Sequence, residues 1–174
     1  AIASRGALDE ESMEQTIAAL RTFKQIAAGF QTTAVKTIAT CAVREARNGS
    51  EFCKRVREEV GLEVEVISAD REARLAFSSI QNAFHLIGKN VILADIGGGS
   101  TEIVFATGNL IEAIFTTPLG AVRLTEQHGL AEAHSPEAYQ RLEEEINACL
   151  KKRTSRPLFA PHFLIGSGGT FTAL

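Results

Sequence analysis

The sequence predicts an α/β protein built as two units, and three observations carry that expectation. Helical and strand periodicities alternate through residues 1–70. Three β-rich runs separated by short, glycine-bearing turns follow between Asn90 and Phe115. Two glycine-rich stretches, one at Gly97–Gly99 and one from Gly166 to Gly169, each come directly after an apolar strand.

Taken in order, Asp9 is placed to cap a helix whose apolar positions Met13, Ile17, Leu20, Phe23 and Ala27 recur every three or four residues, ending near Gly29. A short strand over Ala34–Thr40 comes next. "NGSEFCKRVREEVG" predicts a helix with a Ser50 cap, a Phe52, Val56 and Val60 stripe and a stop at Gly61. Strict alternation through Glu63, Val64, Glu65 and Val66 marks a strand, and Asp70 is placed to cap a helix running to about Ile87. "NVILAD", "TEIVFAT" and "NLIEAIF" have the spacing of an antiparallel meander. Ser135 and Pro136 open a helix with Tyr139, Leu142, Ile146 and Leu150 on one side, "KKRTSRPLFAP" is a loop, and "HFLIG" is a strand before the second glycine turn. The change of architecture near residues 68–76 sets two units, 1–70 and 71–174.

Composition narrows the function classes. With 174 residues and 45% hydrophobic content, the chain can bury a sizeable core. A net charge of −3 with interspersed signs gives no footprint for duplex nucleic acid or for a membrane surface. No apolar run approaches the roughly 18 to 20 residues of a membrane span, and "AIASRGALDEES" lacks a leader's basic and apolar regions, so a soluble, cytoplasmic protein is expected. Cys41, Cys53 and Cys149 suggest no disulfide framework, and the four histidines form no metal-ligand pattern. The first residue is not Met and "IGSGGTFTAL" stops as a helix begins, so a piece truncated at both ends is expected.

Four constellations could carry chemistry. In "DIGGGSTE", Gly97, Gly98 and Gly99 can adopt positive φ and turn successive N–H groups into one concavity, which is how backbone holds phosphate oxygens. Ser100 and Thr101 add hydroxyl donors, and Asp95 could hold water or Mg²⁺. The plainer alternative is a glycine-rich hairpin turn. No helix follows and no Walker lysine is present, so this is neither nucleotide fingerprint. "GSGGT" (Gly166 to Thr170) suggests a second loop facing the same cleft, against the alternative of a tight strand-to-helix connection. Glu72 stands in the first turn of its helix, where a carboxylate commonly only complements the dipole but could also orient a water and accept its proton. Arg44, after a strand, offers a planar cationic fork for phosphate, or is a solvated helix arginine.

Together, "TIATCAVREARNGSEF", "VEVISADREARLAF", "VILADIGGGSTEIVF", "TTPLGAVRLTEQH" and "FLIGSGGTFTAL" resemble, in order, segments of the exopolyphosphatase and guanosine pentaphosphate phosphohydrolase family. The resemblance implies the ribonuclease H-like, actin-type ATPase fold, two α/β units flanking a phosphate cleft. It also implies that Glu72 is the catalytic glutamate and that Arg44 lines the cleft. Gly97, Gly98, Gly99, Ser100 and Thr101 match its phosphate loop, with Asp95 and Glu102 on Mg²⁺, and Gly168, Gly169 and Thr170 match its later glycine turn. Arg71 replaces the first acid of the family's usual pair, Cys41 stands where serine is common, and the family's opening D-x-G-S-N-S turn is not among these residues.

The implied activity is Mg²⁺-assisted hydrolysis of terminal phosphate from inorganic polyphosphate, guanosine pentaphosphate, or both, in a homodimer linked to the stringent response. Two alternatives stay open. One is a catalytically weak module that senses polyphosphate or an alarmone nucleotide such as guanosine tetraphosphate, and the other a kinase-like relative that transfers phosphoryl to an acceptor.

Overall fold

The computed structural model describes residues 6–130 and 135–173. Contacts divide the chain into two units, the first ending at Ser68 and the second beginning at Ala69.

The first unit runs α1 (Glu10–Gly29), β1 (Thr37–Ala39), α2 (Cys41–Glu45), α3 (Gly49–Val60) and β2 (Val64–Val66). Asp9 caps α1 as its position predicts. It accepts from the Ser12 N–H at 2.8 Å and the Ser12 hydroxyl at 2.7 Å, and these bonds hold its carboxyl well below the usual carboxylate range. Met13 and Ile17 pack against Phe52, Val56, Val60 and Leu62, so α1 and α3 share one core. Beyond Leu20 the predicted apolar stripe leaves that core, and Phe23 is exposed. Gly61 ends α3 as expected, at φ 67° with its N–H on the Arg57 carbonyl.

Ser50 does not cap α3. The helix starts one residue earlier, and Asn48 before it bonds both the N–H and the carbonyl of Leu8. The expected strand at Ala34–Thr40 is three residues long and pairs in parallel with β2, Ala39 opposite Val66. The short α2 lies between strand and α3 where the sequence offers too few residues for a periodic signal.

The second unit comprises α4 (Ala69–Ala83), β3 (Asn90–Ile96), β4 (Thr101–Thr107), β5 (Leu110–Thr117), α5 (Ala121–Gln127), α6 (Pro136–Arg153), β6 (Phe163–Ser167) and α7 (Gly169–Thr172). The three predicted β-runs are the antiparallel meander β3, β4 and β5, and β6 joins the free side of β3 in parallel, giving the order β5-β4-β3-β6. One face of this sheet carries Val91, Leu93, Val104, Ala106, Ile111, Ile114 and Ile165, all packed with Ala73, Phe77 and Ile80 of α4. Phe105 makes edge-to-face contacts with Phe115 and with Phe159.

Ser135 caps α6 through the Ala138 N–H, with Pro136 at its start. Other boundaries move. Asp70 lies inside the first turn of α4 and pairs with Arg74 at 2.8 Å. The helix ends at Ala83, short of Ile87, because Leu86 turns back into the core and Gly88 takes φ 70°. Lys151–Arg153 extend α6 rather than opening a loop, basic residues suiting a helix C-terminus. Tyr139 is exposed, off the face expected for it. No helix among the described residues is long and apolar enough to cross a membrane.

Phe77, 1% exposed, anchors α4 to the sheet. Truncation to Ala is expected to cost about 3–5 kcal/mol in urea unfolding, whereas Leu158→Ala, at a fully exposed position, should cost no more than about 0.5 kcal/mol. Equal losses for the two would contradict this core.

Candidate functional site

Topology brings most of the predicted site residues of the second unit to one end of its sheet. Asp95 near the end of β3 stands directly opposite Glu102 near the start of β4, so both side chains leave the same face. It is the face that packs α4, since Leu93 and Val104 are the next pair along. On the outer strands, Thr116 pairs with Glu102 and Ser167 with Asp95. Glu102 is 2% exposed, the most buried acid among the described residues. A carboxylate in such a place is costly unless charge or hydrogen bonds offset it.

Glu72 reaches the same end. Near the far end of α4, Gln81 donates to the Asn109 carbonyl in the β4–β5 turn, 3.1 Å away. That turn lies at the opposite end of the sheet from the glycine loop. The fifteen residues of α4 span about 22 Å, close to the length of a seven-residue strand. Its first turn therefore lies at the end carrying Asp95 and Glu102. Glu72 is half-buried, next to core residue Ala73 and one helical turn before half-buried Ala76, so it flanks the sheet-facing stripe.

The glycine loop works differently from its sequence expectation. None of Gly97, Gly98 and Gly99 has positive φ. Their carbonyls are held instead by the start of α5. The Ala121 N–H donates to Gly97 O at 3.0 Å, the Arg123 N–H to Gly98 O at 3.0 Å, and Arg123 Nε to Gly99 O at 2.8 Å. In a trans peptide the N–H points opposite the C=O, and no cis bond occurs among the described residues. Fixing three carbonyls toward α5 thus fixes the amides of Gly98, Gly99 and Ser100 away from it. Gly97 N–H closes the turn on Ser100 O at 3.0 Å.

Glycine is needed here for close approach. A Cβ at Gly120 would lie 2.3 Å from Gly98 O. The Thr101 hydroxyl is placed otherwise than expected: Thr101 Oγ1 donates to the Leu119 carbonyl and Thr117 Oγ1 to Thr101 O, and Ser100 is buried.

The second glycine turn lies beside the first, because β6 is the parallel neighbour of β3 and both chains leave the sheet at one end. Gly168 takes φ 95°, and a Cβ there would be 2.5 Å from Ile96 O and 3.0 Å from Asp95 Oδ1. Thr170 Oγ1 makes a long bond to Ile96 O at 3.4 Å, tying the turns together. Gly169 has open space around it. Arg44 belongs to the first unit, at the carboxyl ends of β1 and β2, where Nη1 donates to Ile67 O at 3.0 Å.

Asp95 and Glu102 form a two-carboxylate set, and no cluster of three or more metal-ligating side chains exists among the described residues. Two hard oxygen donors suit Mg²⁺ shared with phosphate oxygens and water rather than a fully protein-ligated ion. Sequence reasoning missed Leu119, Gly120 and Arg123. They lie in "TTPLGAVRLTEQH", one of the segments that carry the family resemblance, but the resemblance gives them no role.

The second unit thus ends in two adjacent glycine turns, a cross-strand carboxylate pair and a helix-borne acid, on an α/β scaffold. The chain belongs to the Ppx/GppA phosphatase family, which it matches over residues 1–163. It is similar to exopolyphosphatase 1 of Mycobacterium leprae, 32% identical over 124 residues that make up 71% of this chain and 37% of the relative. The solved Ppx/GppA family member from Aquifex aeolicus is 35% identical with a TM-score of 0.74, over 98% of this chain and 54% of that one. An exopolyphosphatase from Cytophaga hutchinsonii is 27% identical with a TM-score of 0.79, over 98% and 55%. The chain thus spans about half the length of these solved relatives and about a third of the curated one. The α/β fold expected from the sequence is the fold it shares with them.

Gly168→Ala forces a side chain into φ 95° against a carbonyl, and is expected to cost about 1–3 kcal/mol in urea unfolding. Gly169→Ala should stay within about 0.5 kcal/mol of wild type. A tolerated alanine at Gly168 would refute the tight junction of the two turns.

Proposed function

We propose that this chain forms part of a phosphoanhydride hydrolase that releases terminal phosphate from inorganic polyphosphate, the 5′-phosphate of guanosine pentaphosphate, or both. The observation that carries the reading is the fixed set of loop amides at the sheet end that also receives the first turn of α4. Membership of the Ppx/GppA phosphatase family and likeness to exopolyphosphatases support the substrate class.

In this mechanism Glu72 accepts a proton from a water as its oxygen bonds to the terminal phosphorus. The bridging P–O bond breaks, its electron pair leaves with the shortened chain or nucleotide, and inorganic phosphate departs. Amides of Gly98 and Gly99 neutralise charge on the equatorial oxygens as the bond breaks. Asp95 and Glu102 are the residues that would hold Mg²⁺, which when bound offsets phosphate charge. Gly168 lets the second turn approach Asp95 without a side chain between them. The same proposal takes the intact protein to be a cytoplasmic homodimer, as the family resemblance implies.

Glu72→Gln in the intact protein is expected to lower phosphate release by about 10²- to 10⁴-fold while tripolyphosphate binding, followed by calorimetry, is kept. Unchanged turnover would remove Glu72 from the chemistry. Tripolyphosphate binding without release by wild type would favour a sensing module instead.

A further inference from the structure

We infer that Arg123 is a positioning residue for phosphate binding, acting through the third carbonyl of the glycine loop rather than on substrate. The inference rests on the hydrolase reading and adds the device that holds its anion site in shape.

Three glycines in a row are the most mobile backbone a chain can offer, and none of the three is locked here by a left-handed φ. Apart from the Gly97 N–H bond to Ser100 O that closes the turn, the hydrogen bonds that hold their carbonyls come from outside the loop. Two peptides, those following Gly97 and Gly98, are held by main-chain donors at the start of α5, and these persist whatever side chains α5 carries. The third, following Gly99, is held by the Arg123 guanidinium at Nε, 2.8 Å from the carbonyl oxygen and half-buried. Removing that donor frees the Gly99–Ser100 peptide to rotate. Rotation would turn a carbonyl oxygen toward the side from which the amides meet an anion, replacing attraction by repulsion. The same residue supplies two of the three clamps, one from its main chain and one from its side chain, so the guanidinium starts in register with the loop. Gly120 makes this possible by letting the helix start touch Gly98 and Gly99 directly.

The test uses inorganic tripolyphosphate as probe and the intact protein, with calorimetric Kd, phosphate release and Tm measured for wild type, Arg123→Ala and Arg123→Lys. Arg123→Ala is expected to weaken tripolyphosphate binding by about tenfold and lower kcat by up to about 100-fold, the scale of a misplaced site, with the protein still folded. Kd is the telling readout, since a partly unfolded sample lowers apparent kcat without changing the affinity of what remains folded. Arg123→Lys keeps the charge but sets its nitrogen one bond beyond the Nε position, and is expected to stay impaired. Wild-type Kd in the alanine variant overturns the inference, as does full recovery by lysine, which would make charge alone the contribution. If wild type binds tripolyphosphate without releasing phosphate while Arg123→Ala loses affinity, the hydrolase reading fails and the positioning role stands. A wild-type protein that neither binds nor cleaves tripolyphosphate overturns both.

Discussion

The second unit is organised around three backbone carbonyls that accept hydrogen bonds from the start of α5. By giving Gly97, Gly98 and Gly99 oxygens to donors at the start of α5, the fold decides where the opposing amides point. Amide direction is a property of the peptide plane, so no side chain has to reach a ligand for the loop to be polarised toward one. The requirement for bare backbone follows twice over, once where Gly120 touches Gly98 and Gly99 and once where Gly168 passes Asp95 and Ile96.

The rest of the unit serves that arrangement. The apolar seam of Phe77, Leu93 and Val104 sets the axis of α4 along the strands, and Gln81 pins its far end to the β4–β5 turn. Helix and strands have matching lengths, so fixing one end of α4 fixes the other, and Glu72 lies in its first turn. Cross-strand register does the same for Asp95 and Glu102, which can be paired only while the meander keeps its alignment. Burial of Glu102 opposite a second carboxylate, Asp95, is costly for an ionised acid in an ordinary sheet.

Local signals in the sequence proved the most readable. Asp9 with α1, Gly61 with α3 and Ser135–Pro136 with α6 are caps written within a few residues of the elements they end or begin. The meander was legible from strand periodicity and turn chemistry. By contrast, α5 has no side-chain cap at Gly120, because distant loop carbonyls take its first N–H groups. Thr101 shows the same limit at the site. A hydroxyl after a glycine run announces a donor, but its acceptor, the Leu119 carbonyl, is eighteen residues away and known only once the strands are paired. The positive φ expected within the first loop is found at Gly168 in the second, since tertiary hydrogen bonds do the ordering in the first.

Backbone amide NMR of ¹⁵N-labelled intact protein titrated with tripolyphosphate would test the carbonyl clamp most directly. The resonances of Gly98, Gly99 and Ser100 should move together, with Gly97, whose N–H is already on Ser100 O, moving least. Shifts confined to other segments, or largest at Gly97, would contradict the account.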